Sequence, residues 1–233
     1  MRTFATLLQK EAKALFSSPI AYAIVVVYLL LLGYTFTAIL FLNKNGSLVH
    51  IFFQSSVLLL LIVPIITMRL LAEERRAGTL ELLLTAPVRE IDIVLAKFVA
   101  SLAVVAVMLA LSSSYAMVLG IYGDPDWGPI YSGYLGLLLL AGALVAVGLV
   151  ASGLTANQIV AAVVCLGLFL LLWMIDSMAY LLPYPFDTIL MGFSLLGHFR
   201  PFATGALFLS DVGFFLSVIA TGLFLSVRAL ARR

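Results

Sequence analysis

The 233-residue chain is 64% hydrophobic and only 10% charged, with a mean hydropathy of +1.21 and a formal net charge of +2. A water-soluble domain of this length has no core large enough for so much apolar surface, so lipid must be the solvent for much of it. The single cysteine, Cys165, has no partner for an intrachain disulfide, and we interpret it as a small packing residue.

The first predicted element is an amphipathic helix over residues 2–18. Phe4, Leu7, Leu8 and Leu15 recur at helical spacing, with charged residues between them. This pattern predicts a helix that lies in the membrane interface. A cleavable signal peptide is the competing interpretation. It is rejected because the following apolar run is too long and no small-residue cleavage pattern precedes the next span.

Six apolar runs are long enough to cross a hydrocarbon core of about 30 Å as helices. Turn-forming residues separate several of them, and Pro64 lies inside the second run. The predicted spans cover approximately residues 20–42, 49–71, 91–121, 132–154, 159–182 and 207–227.

The segment between the fifth and sixth spans is apolar but interrupted by prolines and charges. Ile189, Leu190, Phe193 and Leu196 fall on one helical face, which predicts an outer interfacial or re-entrant helix. A seventh span here would place the basic C-terminus outside, against the usual cytoplasmic excess of lysine and arginine.

The basic residues predict the orientation of the chain. Eleven of the thirteen cluster in the N-terminal segment, around the connector between spans two and three, or at the C-terminus; only Lys44 and Arg200 lie elsewhere. Six spans place all three clusters on one side, which is then cytoplasmic. We therefore expect an all-α integral membrane protein. It would be a single transmembrane domain over residues 1–233, with both termini in the cytoplasm.

The connector between spans two and three is the most informative part of the sequence. Charged residues, Arg69 and those at 73–76, precede a leucine cluster, and Pro87 marks the boundary with the next helix. Charges that only set topology would explain the arginines, but not the glutamates, Gly78 and the leucines together. Leucines on one face can fill a groove on a soluble partner while flanking charges orient the contact.

The run EERRAGTLELLLTAPV at residues 73–88 resembles the cytoplasmic coupling-helix signature of ABC-2-type transporter permeases. Other segments resemble the gliding-motility (GldF-like) and copper-site-maturation (NosY-like) branch of that family. They are SSPIAY at 17–22, DWGP at 126–129, LTANQ at 154–158 and HFRPF at 198–202. The Arg200–Pro201 pair departs from the acidic or polar residues expected there.

The resemblance implies a permease subunit in the bacterial cytoplasmic (inner) membrane. It implies a dimer with itself or with a related permease, docked on separate ABC ATPase subunits that bind ATP and Mg. An ATPase-coupling role follows for Glu73, Glu74, Arg75, Arg76, Gly78, Thr79, Leu80, Glu81, Leu83, Leu84 and Pro87. Glu81, inside the leucine patch, is our principal candidate for a polar anchor to the ATPase. The short outer loops also make a periplasmic or membrane accessory protein a plausible partner.

Asp176 is the only acidic residue well inside an apolar run. An intramembrane carboxylate suggests a proton relay or a substrate contact. Its position near Pro183 fits equally well with a side chain that reaches the outer interface. The glycines of span four leave a similar choice, because small residues pack helices together either within one subunit or between two.

Motifs for chemistry are missing from the sequence. It has no Walker A loop, no GxSxG elbow and no HExxH pattern. We therefore predict that the chain is not an enzyme, holds no cofactor or metal of its own and binds no nucleic acid. An ion-driven secondary transporter or channel, and a non-transporting membrane scaffold, are the alternatives.

Overall fold

A computed structural model describes residues 2–43, 47–79, 88–123, 125–179, 181–183 and 185–231, and every regular element in those ranges is a helix. We number these helices in chain order. They are α1 (Arg2–Phe16), α2 (Pro19–Asn43), α3 (Val49–Thr67), α4 (Ala72–Arg76), α5 (Glu90–Tyr122), α6 (Trp127–Leu154), α7 (Gln158–Ala179), α8 (Phe186–Met191), α9 (Leu195–Thr204) and α10 (Leu209–Ala231).

Six of the described helices are long and apolar enough to cross a membrane, which confirms the predicted number of spans. They are α2, α3 continued by α4, α5, α6, α7 and α10. Several ends differ from the prediction, among them the start of α6 and the end of α3. Helix α6 begins at Trp127 rather than at residue 132, because the Asp126 side chain accepts a hydrogen bond from Gly128 N at 3.1 Å and caps the helix. Helix α3 ends at Thr67, and a turn separates it from α4.

The spans form a buried group and an exposed group. In α3, α5 and α6, between 61% and 72% of the most apolar window is buried inside the chain, against 17% to 22% in α2, α7 and α10. Helix α6 lies at the centre and contacts α3, α5, α7, α9 and α10. The less buried spans leave wide apolar faces for lipid or for another membrane protein.

Small residues let other helices approach α6 closely. A Cβ at Gly142 would lie 2.9 Å from Ile219 Cδ1 of α10, and one at Gly136 would lie 2.5 Å from Phe202 Cβ of α9. Gly222 of α10 in turn faces Ala146. These glycines therefore serve packing within the chain, the first of the two alternatives that the sequence left open.

The segment between α7 and α10 contains two short helices, where the sequence predicted one. Helix α8 ends at Met191, and Ser194 begins α9 by accepting a hydrogen bond from Gly197 N at 2.9 Å. Ser132 of α6 holds α9 in place by donating to Phe202 O at 2.8 Å. This end of the bundle, opposite to α1 and α4, is called the far end below.

Candidate functional site

The end of the bundle that carries α1 and α4 is called the basic end. The start of the connector lies here, with its arginines Arg69, Arg75 and Arg76. The end of α10 reaches the same place, because a Cβ at Gly153 would contact both Ala229 and Leu71 at 3.4 Å.

A buried lysine joins three helices at the basic end. Lys97, near the start of α5, is 1% exposed. Its Nζ lies 3.0 Å from Glu11 Oε1 of α1 and 3.0 Å from Glu74 Oε1 of α4. Lys10 completes the group, 3.4 Å from Glu74 Oε1 and 3.7 Å from Glu11 Oε1. Two positive and two negative charges balance, which is the condition for keeping an ammonium out of water.

Ser152 fastens the connector to the central helix. Its Oγ accepts hydrogen bonds from Leu71 N and Ala72 N, both at 3.1 Å, and donates to Met68 O at 3.2 Å. Backbone groups in the turn between α3 and α4 have no partner within a regular helix, so this hydroxyl satisfies three of them at once. Helix α4 is thus held by α5 and α1 through charge, and by α6 through hydrogen bonds.

The predicted coupling residues divide into described and undescribed positions. Glu74 belongs to the ion-pair group, Glu73 and Arg76 are exposed, and Arg75 is partly buried. Gly78 follows the end of α4 with φ of +70°, a left-handed conformation that favours glycine. Thr79 donates to Glu74 O at 3.3 Å, while Leu80, Glu81, Leu83, Leu84 and Pro87 lie outside the described residues.

The sequence analysis did not identify the residues that hold α4 in place. Lys97 carried a usable signal, because a lysine within an apolar run is expensive unless it is paired. Glu11 carried one too, since it lies four residues from both Leu7 and Leu15 and so shares their apolar face. Ser152 carried none, because a serine in a glycine-rich span is common.

Asp176 lies at the far end and is paired. It is 4% exposed, and its Oδ2 accepts a hydrogen bond from Arg200 Nη2 at 2.7 Å while Ser194 Oγ donates to its Oδ1 at 3.3 Å. The arginine that departed from the family pattern is therefore the partner of this carboxylate. A second pair holds the same segment, with His198 Nδ1 lying 2.7 Å from Asp211 Oδ1.

Within the described ranges, no group of three or more histidine, cysteine, aspartate or glutamate side chains is placed to hold a metal ion. At the basic end, buried charges and a hydroxyl thus bind the short helix α4 to three longer helices, an arrangement called the joint below.

Comparison with known families identifies the class of protein. A family described as ABC-2 family transporter protein matches residues 54–194, from the first turns of α3 to the residue before α9. The match is more than half of the chain and includes the connector, Lys97, Ser152 and Asp176. No similar protein was found among those of curated function. Members of this family are transmembrane components without an ATPase of their own, and they generally work with an ATPase subunit. With its six apolar helices, the chain is a multi-pass membrane protein and belongs to the ABC-2 family of transporter proteins.

Proposed function

We propose that this chain is the transmembrane permease subunit of an ABC transporter. It couples ATP hydrolysis by a separate nucleotide-binding subunit to export, or to mechanical transmission, across the membrane. Residues 73–88 are the segment that the ATPase grips. The observation that carries this proposal is the contact of Glu74, at the root of that segment, with the buried Lys97 and through it with Glu11.

The attachments of α4 suggest how the connector transmits movement. A displacement of residues 73–88 pulls on α4, and the Glu74–Lys97 pair passes the pull to α5. The hydrogen bonds of Ser152 pass it to α6, and Glu11 carries α1 along. Because separating buried charges is costly, α1, α4 and the start of α5 move as one body. The spans then rearrange, so that the pathway between them opens toward one side of the membrane.

The orientation follows from the charges. Arg69, Arg75, Arg76 and Arg228 lie at the basic end, and we place that end, with both termini, in the cytoplasm. Helix α1 then lies at the cytoplasmic interface, and α8 and α9 lie at the outer one. We place the protein in the bacterial inner membrane as a single transmembrane domain. It acts as a dimer with itself or a related permease, above two ATPase subunits that bind ATP and Mg. An outer accessory protein and the gliding-motility and copper-site-maturation branch stay predictions.

An ion-driven secondary transporter or channel is less well supported. That function calls for a carboxylate able to exchange its partner within the membrane. Asp176 instead has a close charged partner in Arg200 and a hydroxyl donor in Ser194. This arrangement supports a tether between α7 and α9, and we assign Asp176 that role. A non-transporting scaffold would contain the same contacts at the basic end. ATPase-dependent transport would distinguish a transporter from such a scaffold.

Reversal of Glu81 tests the proposal. The chain is tagged, purified from its native membrane and assayed for a co-purifying ATP-binding subunit and for ATPase activity. Glu81→Lys places a cation where an anion should anchor the partner, so we expect the amount of bound subunit to fall on the order of tenfold. Asp187→Lys, the same change of charge in α8 at the far end, should retain the subunit. Equal recovery in both variants would contradict a coupling role for the segment.

A further inference from the structure

A narrow crevice opens at the basic end, where the ends of α1 and α3 meet the start of α2. Its volume is about 30 Å³, and its lining is apolar except for Ser18 and Arg69. Ile20 and Ile65 flank it and are 37% and 39% exposed, so an apolar strip continues from the crevice along the lipid-facing surface of α2 and α3.

Arg69 is the unusual member of this lining. It is partly buried, and its Nε is buried without a hydrogen-bond partner. The neighbouring cations Lys10 and Lys97 are neutralised by Glu11 and Glu74. No carboxylate pairs with Arg69 in the part of the chain that the structure describes. Since a guanidinium cannot lose its charge and a buried donor is costly when unpaired, this position calls for an anion.

We propose that Arg69 binds the phosphate of an anionic phospholipid. The guanidinium fork matches phosphate oxygens. Ser18, which lines the crevice, lies immediately before α2, whose N-terminus is the positive end of the helix dipole. The crevice admits one or two phosphate oxygens. The rest of the head group lies at its mouth, and an acyl chain follows Ile20 and Ile65.

The surroundings favour a lipid over a free phosphate ion. The mostly aliphatic lining continues into the exposed strip of Ile20 and Ile65, where the acyl chain of a lipid gains apolar contact that a free anion does not. The unpaired charge of Arg69, together with Arg75 and Arg76 at the same end, favours a head group of net negative charge over a zwitterionic one. This site is separate from ATPase docking and does not depend on it.

Thermal unfolding of the purified protein in neutral detergent tests the site. The probes are short-chain phosphatidylglycerol, short-chain phosphatidylcholine and inorganic phosphate. We expect phosphatidylglycerol alone to raise the unfolding midpoint of the unmodified chain. Arg69→Gln should weaken the apparent affinity about tenfold or more, and Arg69→Lys should weaken it less. Arg228→Gln is the matched control, because this exposed arginine at the same end lies over the Phe224 ring, 5.3 Å from its centroid. It should respond like the unmodified chain.

A second variant guards against misfolding of the first. Ala21→Phe keeps Arg69 but fills the crevice, so it should also reduce the response to phosphatidylglycerol. Three results would overturn the proposal. They are an unchanged response in both Arg69→Gln and Ala21→Phe, an equal response to phosphatidylcholine, and an equal response to inorganic phosphate, which would assign the site to a free anion.

Discussion

At the residue scale, a buried carboxylate at each end of the bundle contacts a cation. Glu11 contacts Lys97 at the basic end, and Asp176 contacts Arg200 at the far end. The consequences differ with burial. Lys97 is enclosed, so removal of one partner leaves a buried charge without compensation, whereas the Arg200 side chain is 44% exposed and its pair is weakened by solvent.

Removal of the buried lysine should be far more damaging than removal of its exposed neighbour. In Lys97→Met, the largely buried carboxylates of Glu11 and Glu74 keep only the exposed Lys10 as a cationic partner, and we expect a loss of about 3–5 kcal/mol in the free energy of unfolding. Lys10→Met is the control, because its side chain is 58% exposed, and less than about 1 kcal/mol should be lost. Unfolding in mixed detergent measures both.

A rescue variant separates charge from packing. Lys97→Met combined with Glu11→Gln and Glu74→Gln leaves no buried charge without a partner, because Lys10 is exposed to solvent, so it should recover most of the lost stability. Similar losses in Lys97→Met and Lys10→Met, or no recovery in the triple variant, would mean that the ion-pair group does not hold α1 and α4 to α5.

At the element scale, the sequence predicts the spans well but not their neighbours. A chain in lipid must satisfy its backbone hydrogen bonds within each helix, so every long apolar run becomes a helix. Hydropathy alone does not predict which helices lie at the centre of the bundle. Helices α2 and α5 are comparably hydrophobic, although α5 is much more buried. Only the small residues of α6 indicated a closely packed span, and they did not identify the packing partners.

The joint at the basic end shows the same limit. The amphipathic pattern of α1 predicted a helix, and the position of Glu11 beside Leu7 and Leu15 could have predicted a buried carboxylate. The identity of its partner depends on how α1 packs on α5, which no local pattern specifies. The hydrogen bonds of Ser152 to the turn after α3 are likewise a product of tertiary packing between distant parts of the chain.

Substitution by alanine should change the free energy of unfolding differently at two glycines in different spans. A Cβ at Gly148 of α6 would lie 2.8 Å from Thr67 Cβ, too close to the α3 backbone for an easy adjustment, whereas a Cβ at Gly167 of α7 meets nothing within 4 Å. We expect Gly148→Ala to lower the free energy of unfolding by about 1–3 kcal/mol. Gly167→Ala should be neutral or slightly stabilising, because alanine favours helix. Thermal unfolding compares them, and equal effects would contradict the close packing of α3 on α6.

At the scale of the whole molecule, the two ends of the bundle differ in structure and in the role that we propose for them. The basic end combines a buried ion-pair group with an exposed, charged connector, which suits a surface that a soluble subunit pulls. At the far end, the pairs Asp176–Arg200 and His198–Asp211 tie α9 to α7 and α10. We propose that the tethered segment moves with the spans, so that a change at the basic end reaches the opposite face.

Cysteine labelling tests the orientation on which this division depends. Cys165 is buried, and Cys165→Ala removes the only native thiol. In that background, Ser17→Cys marks the basic end and Asp187→Cys marks the far end. Because basic residues are retained in the cytoplasm, a membrane-impermeant maleimide added to spheroplasts should label position 187 and should reach position 17 only after permeabilisation. The reverse pattern would place residues 73–79 outside, beyond the reach of any cytoplasmic ATPase, and the coupling proposal would then fail together with the assigned topology.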